Sequence, residues 1–412
     1  MSRTLDRAGP AALLARPGVR AAFAALSVPG EETRLVGGCV RDALLGHSAS
    51  DIDLATTLRP EAVMERARAA GLKAVPTGIE HGTITVVTPQ EPLEVTTLRE
   101  DVETDGRHAV VRFGGDFAQD AARRDFTINA LSVGADGIVH DTVGGVDDLH
   151  AGRVRFIGEA ATRIREDALR ILRFFRFHAR FASGEPDAEA LSACIAARDA
   201  LDGLSRERVR SEFMKLLLAP GCVPVAALLA TTGLLQRISG GVPELGRLAR
   251  SAEAGQGAAM RLAALCVHAA HDEPRLREDL RLANNEAAQL ATYARLLEVL
   301  HGRERIGRGD VRALAARHGG AMVAQTLAIL SAEPRPQPDA DALAEANDLA
   351  GGKNDPVFPL AGSDLIDAGL KPGRHIGHGL AVAKAEWLAR GCPMDEVSRG
   401  DLLAKAFVAA SQ

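Results

Sequence analysis

Between Arg34 and His140 short β-branched and aliphatic runs alternate with stretches of helical spacing. The runs Arg34 to Val36, Asp51 to Ala55, Thr83 to Thr88, Leu93 to Leu98 and Leu131 to Val133 predict strands. One intervening helix is delimited by Thr57 as N-cap, Pro60 in its first turn and Gly71 as its stop. Beyond Gly152 strand signals disappear. Ala, Leu, Arg and Glu recur at helical spacing through Arg163 to Arg180, Glu207 to Leu218, Val223 to Leu235, Met260 to His268, Glu286 to Leu300 and Asp310 to His318. The apolar run Ala11 to Leu26 is broken by Arg16, Pro17 and Arg20, which predicts a surface helix and neither a signal segment nor a membrane span. Glu333 to Asp339 is Pro-rich and predicts a stiff connector. Glycine punctuation returns from Gly369 to Gly379, and no fixed-period repeat is present. The pattern predicts an α+β protein, a mixed sheet with helices followed by an all-helical arm.

Composition narrows the function classes. The 412 residues are 46% hydrophobic and 25% charged, enough to bury a sizeable core. Aromatic residues are only 3%, which argues against a long path of bases stacked on rings. Net charge is −5, so any nucleic-acid surface has to be a local basic patch on an acidic body. The five cysteines, Cys39, Cys194, Cys222, Cys266 and Cys392, are scattered without a C-x-x-C pair, which fits reduced thiols in a cytoplasm and offers no zinc site.

The densest chemistry lies in Leu35-Val-Gly-Gly-Cys-Val-Arg-Asp-Ala-Leu-Leu-Gly46 and the Asp51-Ile-Asp-Leu54 that follows. Gly37 and Gly38 allow close approach of backbone to a phosphate, the next helix points free N–H groups at it, and Arg41 adds a cationic clamp. Asp51 and Asp53, two apart on a strand, leave the same face while Ile52 and Leu54 enter the core. Adjacent carboxylates repel unless a cation lies between them, and Mg²⁺ is the ion that favours carboxylates together with phosphates. Glu94, on a neighbouring strand, is a candidate third carboxylate, with a surface ion pair as the alternative.

Two further segments add charge. Arg123-Arg-Asp-Phe-Thr-Ile-Asn-Ala130 places donors for a triphosphate and acceptors for a ribose on one side of a turn. The stretch Arg163 to Arg180 carries six arginines against Glu166 and Asp167. On one helix Asp167, Arg170, Arg173 and Arg176 would form a winding polar stripe, with Phe174, Phe177 and Phe181 mostly opposite as core.

The glycine pair and D-x-D follow the order of the nucleotidyltransferase superfamily that includes DNA polymerase β. With the later motifs, the chain resembles the class II CCA-adding tRNA nucleotidyltransferases and the related bacterial poly(A) polymerases, from about Arg34 to Leu218 and more loosely in the tail. Motif A looks like Leu35 to Thr56, motif B like Arg123 to Ala130, and the hinge like Gly144-Gly-Val-Asp-Asp-Leu149. The nucleotide-reading motif looks like Glu166 to Arg170 extended to Arg176, and the bracing motif like Ser205 to Phe213.

The resemblance implies template-independent transfer of CMP and AMP from CTP and ATP to tRNA 3′ ends. It implies that Asp51 and Asp53 are catalytic and hold Mg²⁺, that Gly38, Arg41, Arg124 and Asp125 hold triphosphate and ribose, and that Asp167 and Arg170 read the base. Arg173 and Arg176 would add nucleotide contacts or support that pair. A carboxylate accepting from the exocyclic amine of C or A, beside a guanidinium donating to the ring nitrogen, would disfavour U and G. The alternatives are a poly(A) polymerase and a CC- or A-adding partial enzyme.

The implied division is a polymerase-β-like head over 1–150, a helical neck over 151–235, a helical body over 236–332 and a linker and tail over 333–412. The polar stretch Leu98 to Ala109 reads as a mobile loop, placed where the family has one that shifts specificity from C to A. Leu360 to Arg374 resembles the family's tail, serving either RNA phosphates or helix capping. His271-Asp272 lacks the partner histidines of a metal-dependent phosphohydrolase, and His271 is expected to be a surface histidine.

Overall fold

A computed structural model describes residues 3–49, 51–105, 108–352 and 354–411. It divides into two compact units, Met1–Leu204 and Ser205–Gln412.

The first unit runs α1 (Gly9–Leu14), α2 (Pro17–Leu26), β1 (Thr33–Val36), α3 (Gly38–Leu44), β2 (Asp53–Thr56), α4 (Pro60–Ala69), β3 (Lys73–Gly78), β4 (Thr83–Val87), β5 (Pro92–Thr97), β6 (Arg99–Asp105), β7 (His108–Phe113) and α5 (Phe117–Ala122). It continues with β8 (Ser132–Gly134), β9 (Val139–His140), α6 (Gly145–Ala151), α7 (Ala160–Glu166), α8 (Arg170–Phe181) and α9 (Ala188–Ala196). Seven strands form one mixed sheet in the order β3-β4-β5-β2-β1-β8-β9. Within this sheet, among the described residues, only β2 and β5 pair in parallel, with Asp53 opposite Glu94. Ile84, Val86, Leu93 and Val95 are fully buried, whereas Thr83, Thr85, Glu94 and Thr96 alternate with them on the open face. That open face carries the carboxylates.

The predicted strands are all present, with three differences. Asp51 lies just before β2, although Ile52 still accepts a hydrogen bond from the Glu94 N–H at 3.3 Å. The stretch expected to be a loop contains the antiparallel pair β6 and β7; Gly106 and Arg107 lie outside the described residues. The charged residues of Arg99 to Asp105 hide β6 from the hydrophobic pattern. Weak signals also concealed β3 and β9, which are short or polar.

Several helices depart from the pattern as well. The run Ala11 to Leu26 forms two helices, because Pro17 cannot continue α1 but is suited to the first position of α2. Val19 and Ala22 are fully buried, so α2 is a packed element and not a surface helix. Helix α4 takes Arg59 as N-cap. The Thr57 hydroxyl instead accepts the Glu32 N–H at 2.8 Å. The long arginine helix is two helices, for Asp167 is extended at φ −153° and ψ 106°. Phe126, Phe156, Phe174 and Phe177 pack between these elements, with ring centroids 4.8 Å (Phe126–Phe156) and 5.2 Å (Phe126–Phe177) apart.

The second unit contains α10 (Arg206–Leu217), α11 (Cys222–Thr231), α12 (Leu234–Ser239), α13 (Leu245–Glu253), α14 (Ala258–Cys266), α15 (Asp272–Leu280), α16 (Asn284–His301), β10 (Arg305–Ile306), α17 (Arg308–His318), α18 (Gly320–Leu330), β11 (Gln337–Pro338), α19 (Ala340–Leu349), α20 (Gly362–Asp367), α21 (Arg374–Ala389) and α22 (Glu396–Ser411). The expected helix from Val223 to Leu235 breaks at Gly233, which adopts φ +74° between α11 and α12. The Pro-rich connector is stitched down: β11 pairs with β10, and Glu333 binds Arg247 at 2.6 Å and His301 at 2.8 Å. These two-residue strands interrupt the all-helical expectation. No helix among the described residues is long and apolar enough to cross a membrane.

Candidate active site

The site is assembled within the first unit. Gly37 ends the turn after β1 at φ +74° and is the N-cap of α3. A Cβ there would lie 2.5 Å from Nη1 of Arg124, so the glycine makes room for a guanidinium as well as for the turn. Gly38 opens α3, partly exposed, and Arg41 closes its first turn. Arg41 is only 7% exposed: Nε binds Asp42 at 2.8 Å, Nη1 binds Oδ1 of Asn129, and its Cζ lies 4.1 Å from the Phe181 ring centroid. Burial, with Arg180 and Arg176 nearby, lowers its pKa against the opposing pull of Asp42.

Asp53 stands beside Glu94 in register, and Asp51 is exposed at the mouth of β2. Burial and the neighbouring carboxylates of Glu94 and Asp51 raise the Asp53 pKa, while Arg124 opposes the rise. Such a crowded set of hard oxygen donors fits a divalent cation. Among the described residues no three His, Cys, Asp or Glu side chains converge as a complete metal site. Ligands from a substrate's phosphates would therefore have to complete the shell.

Arg124 is held from several sides. Its Nε and Nη2 each lie 3.0 Å from Oδ2 of Asp120, and its Nη1 donates to the Asn129 carbonyl at 3.2 Å. Asp120 is 6% exposed and also binds Arg123; burial works against its ionisation, yet Arg124 and Arg123 hold its pKa below the usual range. Asp120 stands just outside the Arg123 to Ala130 motif, so motif pattern does not reveal it. Its spacing of three and four residues from the two arginines on a helical turn was the available signal.

Asp125 spends both oxygens on protein groups. Oδ1 accepts the Phe126 N–H at 2.9 Å and Asn129 Nδ2 at 3.0 Å, and Oδ2 accepts Arg173 Nε at 2.7 Å. Burial opposes its charge, but Arg173 and Asn129 leave its pKa lowered.

The break at Asp167 organises the other wall. Oδ1 of Asp167 accepts the Leu169 N–H at 3.1 Å, so the carboxylate caps the turn into α8. Arg170 Nη1 binds the Arg163 carbonyl at 2.7 Å and pairs with Glu166. Arg163 also binds Glu166 at 2.7 Å and reaches the carbonyls of Arg123 and Arg124. A run of hydrogen bonds thus links the Arg124 carbonyl through Arg163 to Arg170, and the Arg124 charge acts on Asp53. Arg176 lies 4.4 Å over Phe177, a ring that is core on one side and a cation platform on the other.

Comparison with known proteins places this arrangement. Residues 33–155 match the model of the Poly A polymerase head domain, and residues 185–246 match the probable RNA and SrmB-binding site of polymerase A. The chain is 34% identical to the mitochondrial CCA tRNA nucleotidyltransferase 1 of Mus musculus over 89% of this chain and 85% of that protein. It is 44% identical to the Danio rerio protein of the same name over 50% of this chain and 48% of the relative, about half the length of each. The solved Bacillus stearothermophilus CCA-adding enzyme in complex with CTP superposes with a TM-score of 0.68 at 25% identity, over 91% of this chain and 93% of that one. A mixed-sheet head with a helical remainder is shared along nearly the whole chain, and the chain belongs to the tRNA nucleotidyltransferase and poly(A) polymerase family of nucleotidyltransferases.

Proposed function

We propose that this protein is a template-independent CCA-adding enzyme, transferring CMP and AMP from CTP and ATP to tRNA 3′ ends with release of pyrophosphate. The observation that carries the reading is the hydrogen-bonded run from the Arg124 carbonyl through Arg163 to Arg170, with the Arg124 charge acting on Asp53, which joins a phosphoryl-transfer end to a base-reading end within one unit. The names of the relatives support the same chemistry.

In this reading Asp51 and Asp53 hold Mg²⁺, which when bound supplies charge neutralisation and activation of the RNA hydroxyl. Gly38, Arg41, Arg124 and Asp125 position triphosphate and ribose, Arg41 and Asp125 acting through the buried contacts they make. Asp167 and Arg170 select the base, and Arg173 and Arg176 support them. The parts over 151–235, 236–332 and 333–412 serve as neck, body and tail, and the last two grip the tRNA. Five buried, unpaired thiols suit a reducing compartment, and we assign the cytoplasm.

The test is single-turnover extension of tRNA transcripts ending before CCA, after C and after CC, with CTP, ATP or both, and Mg²⁺. Extension of all three that stops at CCA is the expected result. An open-ended A ladder would establish a poly(A) polymerase, the reading favoured by the head-domain match taken alone. Extension that stops at CC, or that requires a CC end, would mean a shared task.

A further inference from the structure

Asn129 occupies a position that nothing in the catalytic scheme above explains. It is 7% exposed and sits between two buried ionic groups, Arg41 at 7% and Asp125 at 8%. Its Oδ1 accepts from Arg41 Nη1 at 2.5 Å, and its Nδ2 donates to Asp125 Oδ1 at 3.0 Å. Asp125 in turn accepts from Arg173 of α8 through Nε at 2.7 Å and pairs with its Nη2 at 2.6 Å. The path closes through an aromatic ring: the Cζ atoms of Arg41 and Arg173 lie 5.4 Å and 5.3 Å from the Phe177 centroid. The backbone of the same asparagine accepts Arg124 Nη1 at 3.2 Å.

The chemistry at this point is exacting. The side chain must accept from a cation on one side and donate to a carboxylate on the other, and an uncharged amide does both. An aspartate there would confront Asp125 with a second carboxylate, and an aliphatic residue would leave two buried polar groups without their partner. The consequence concerns the distance between two helices. Arg41 belongs to α3, which begins at the glycine pair, and Arg173 lies one turn beyond Arg170 on α8. Fixing Arg41 to Arg173 therefore fixes the phosphate-holding end against the base-reading end.

We propose that Asn129 is a positioning residue for nucleotide selection, acting through Arg41 and Asp125 to hold the base-reading start of α8 in register with the double-glycine turn. This rests on the CCA-adding function proposed above. Loosening the frame lets a bound nucleotide shift relative to Arg170, so discrimination against the wrong base falls more than transfer of the right one.

The experiment is single-turnover incorporation by the full chain on tRNA lacking CCA, with CTP and UTP compared for wild type, Asn129→Ala and Asn129→Asp. The expected result is a fall of about tenfold or more in the CTP-to-UTP ratio of kcat/KM, larger for Asn129→Asp than for Asn129→Ala. In an Arg173→Ala background, Asn129→Ala should add no further loss of discrimination, because the frame is already cut. Equal losses with both nucleotides, or additive effects of the two substitutions, would overturn the proposal, for a merely structural asparagine would lower stability and activity without changing the ratio. Should Asn129→Ala not fold, Asn129→Ser, smaller and still polar, decides by the same ratio. A wild-type protein that adds no nucleotide to tRNA would instead overturn the functional reading itself.

Discussion

At Gly37 two requirements meet in one residue, a left-handed backbone and room for the Arg124 guanidinium. Gly37→Ala should cost about 1 kcal/mol from the backbone conformation alone. It should also push Arg124 away, seen as a raised KM for CTP with a smaller change in kcat; an unaltered KM would count against the packing role. Asp53 and Asp51 carry the strongest expectation at this scale. Asp53→Asn removes a carboxylate whose charge is already disfavoured by burial and by Glu94, so it should leave the fold intact and abolish transfer while tRNA binding persists in a gel-shift assay. Asp120 shows what motif reading omits. A buried carboxylate three and four residues before two arginines was visible as spacing, but its burial was not, and without burial it reads as an ordinary surface ion pair.

At the level of elements, the break between α7 and α8 matters most. Helical periodicity extends unbroken through Asp167, and only the extended backbone there turns Asp167 into a cap and brings Arg170 against the Arg163 carbonyl. Arg170→Ala should therefore reduce discrimination among nucleotides more than it reduces the single-turnover rate with CTP. Unchanged selectivity between CTP, ATP and UTP would remove it from base reading. In the second unit α21 and α22 pack through a small residue: a Cβ on Gly379 would meet the Ala406 carbonyl oxygen at 2.3 Å. Trp387 of α21 is fully buried, and its Nε1 donates to the Pro393 carbonyl at 2.9 Å. Trp387→Ala should destabilise this helix pair by about 3–5 kcal/mol, measured as a loss in thermal or denaturant unfolding.

For the molecule as a whole, buried carboxylates tie stability to pH. Asp125 has a folded pKa below the usual 3.8, so the stability it contributes is complete above that value and is lost as pH falls through the lowered one. The advantage of wild type over Asp125→Asn should thus be constant near neutral pH and narrow only below about pH 4. Denaturant unfolding across that range checks the sign, and a difference that instead narrowed on the alkaline side would refute it.

The sequence by itself determined the class of fold, the mixed sheet before a helical arm, because alternation and helical spacing are local properties of burial. It also carries the motif order and the acidic or basic character of Asp51, Asp53, Asp167 and Arg170, since donors and acceptors are properties of residue type. Tertiary structure decided what spacing cannot encode: that β5 lies beside β2 so that Glu94 faces Asp53, that Arg41 and Asp125 turn inward to meet across Asn129, and that the polar stretch after Leu98 contains an antiparallel strand pair. Those outcomes depend on residues distant along the chain competing for the same buried space, a contest in which local propensity is only one term.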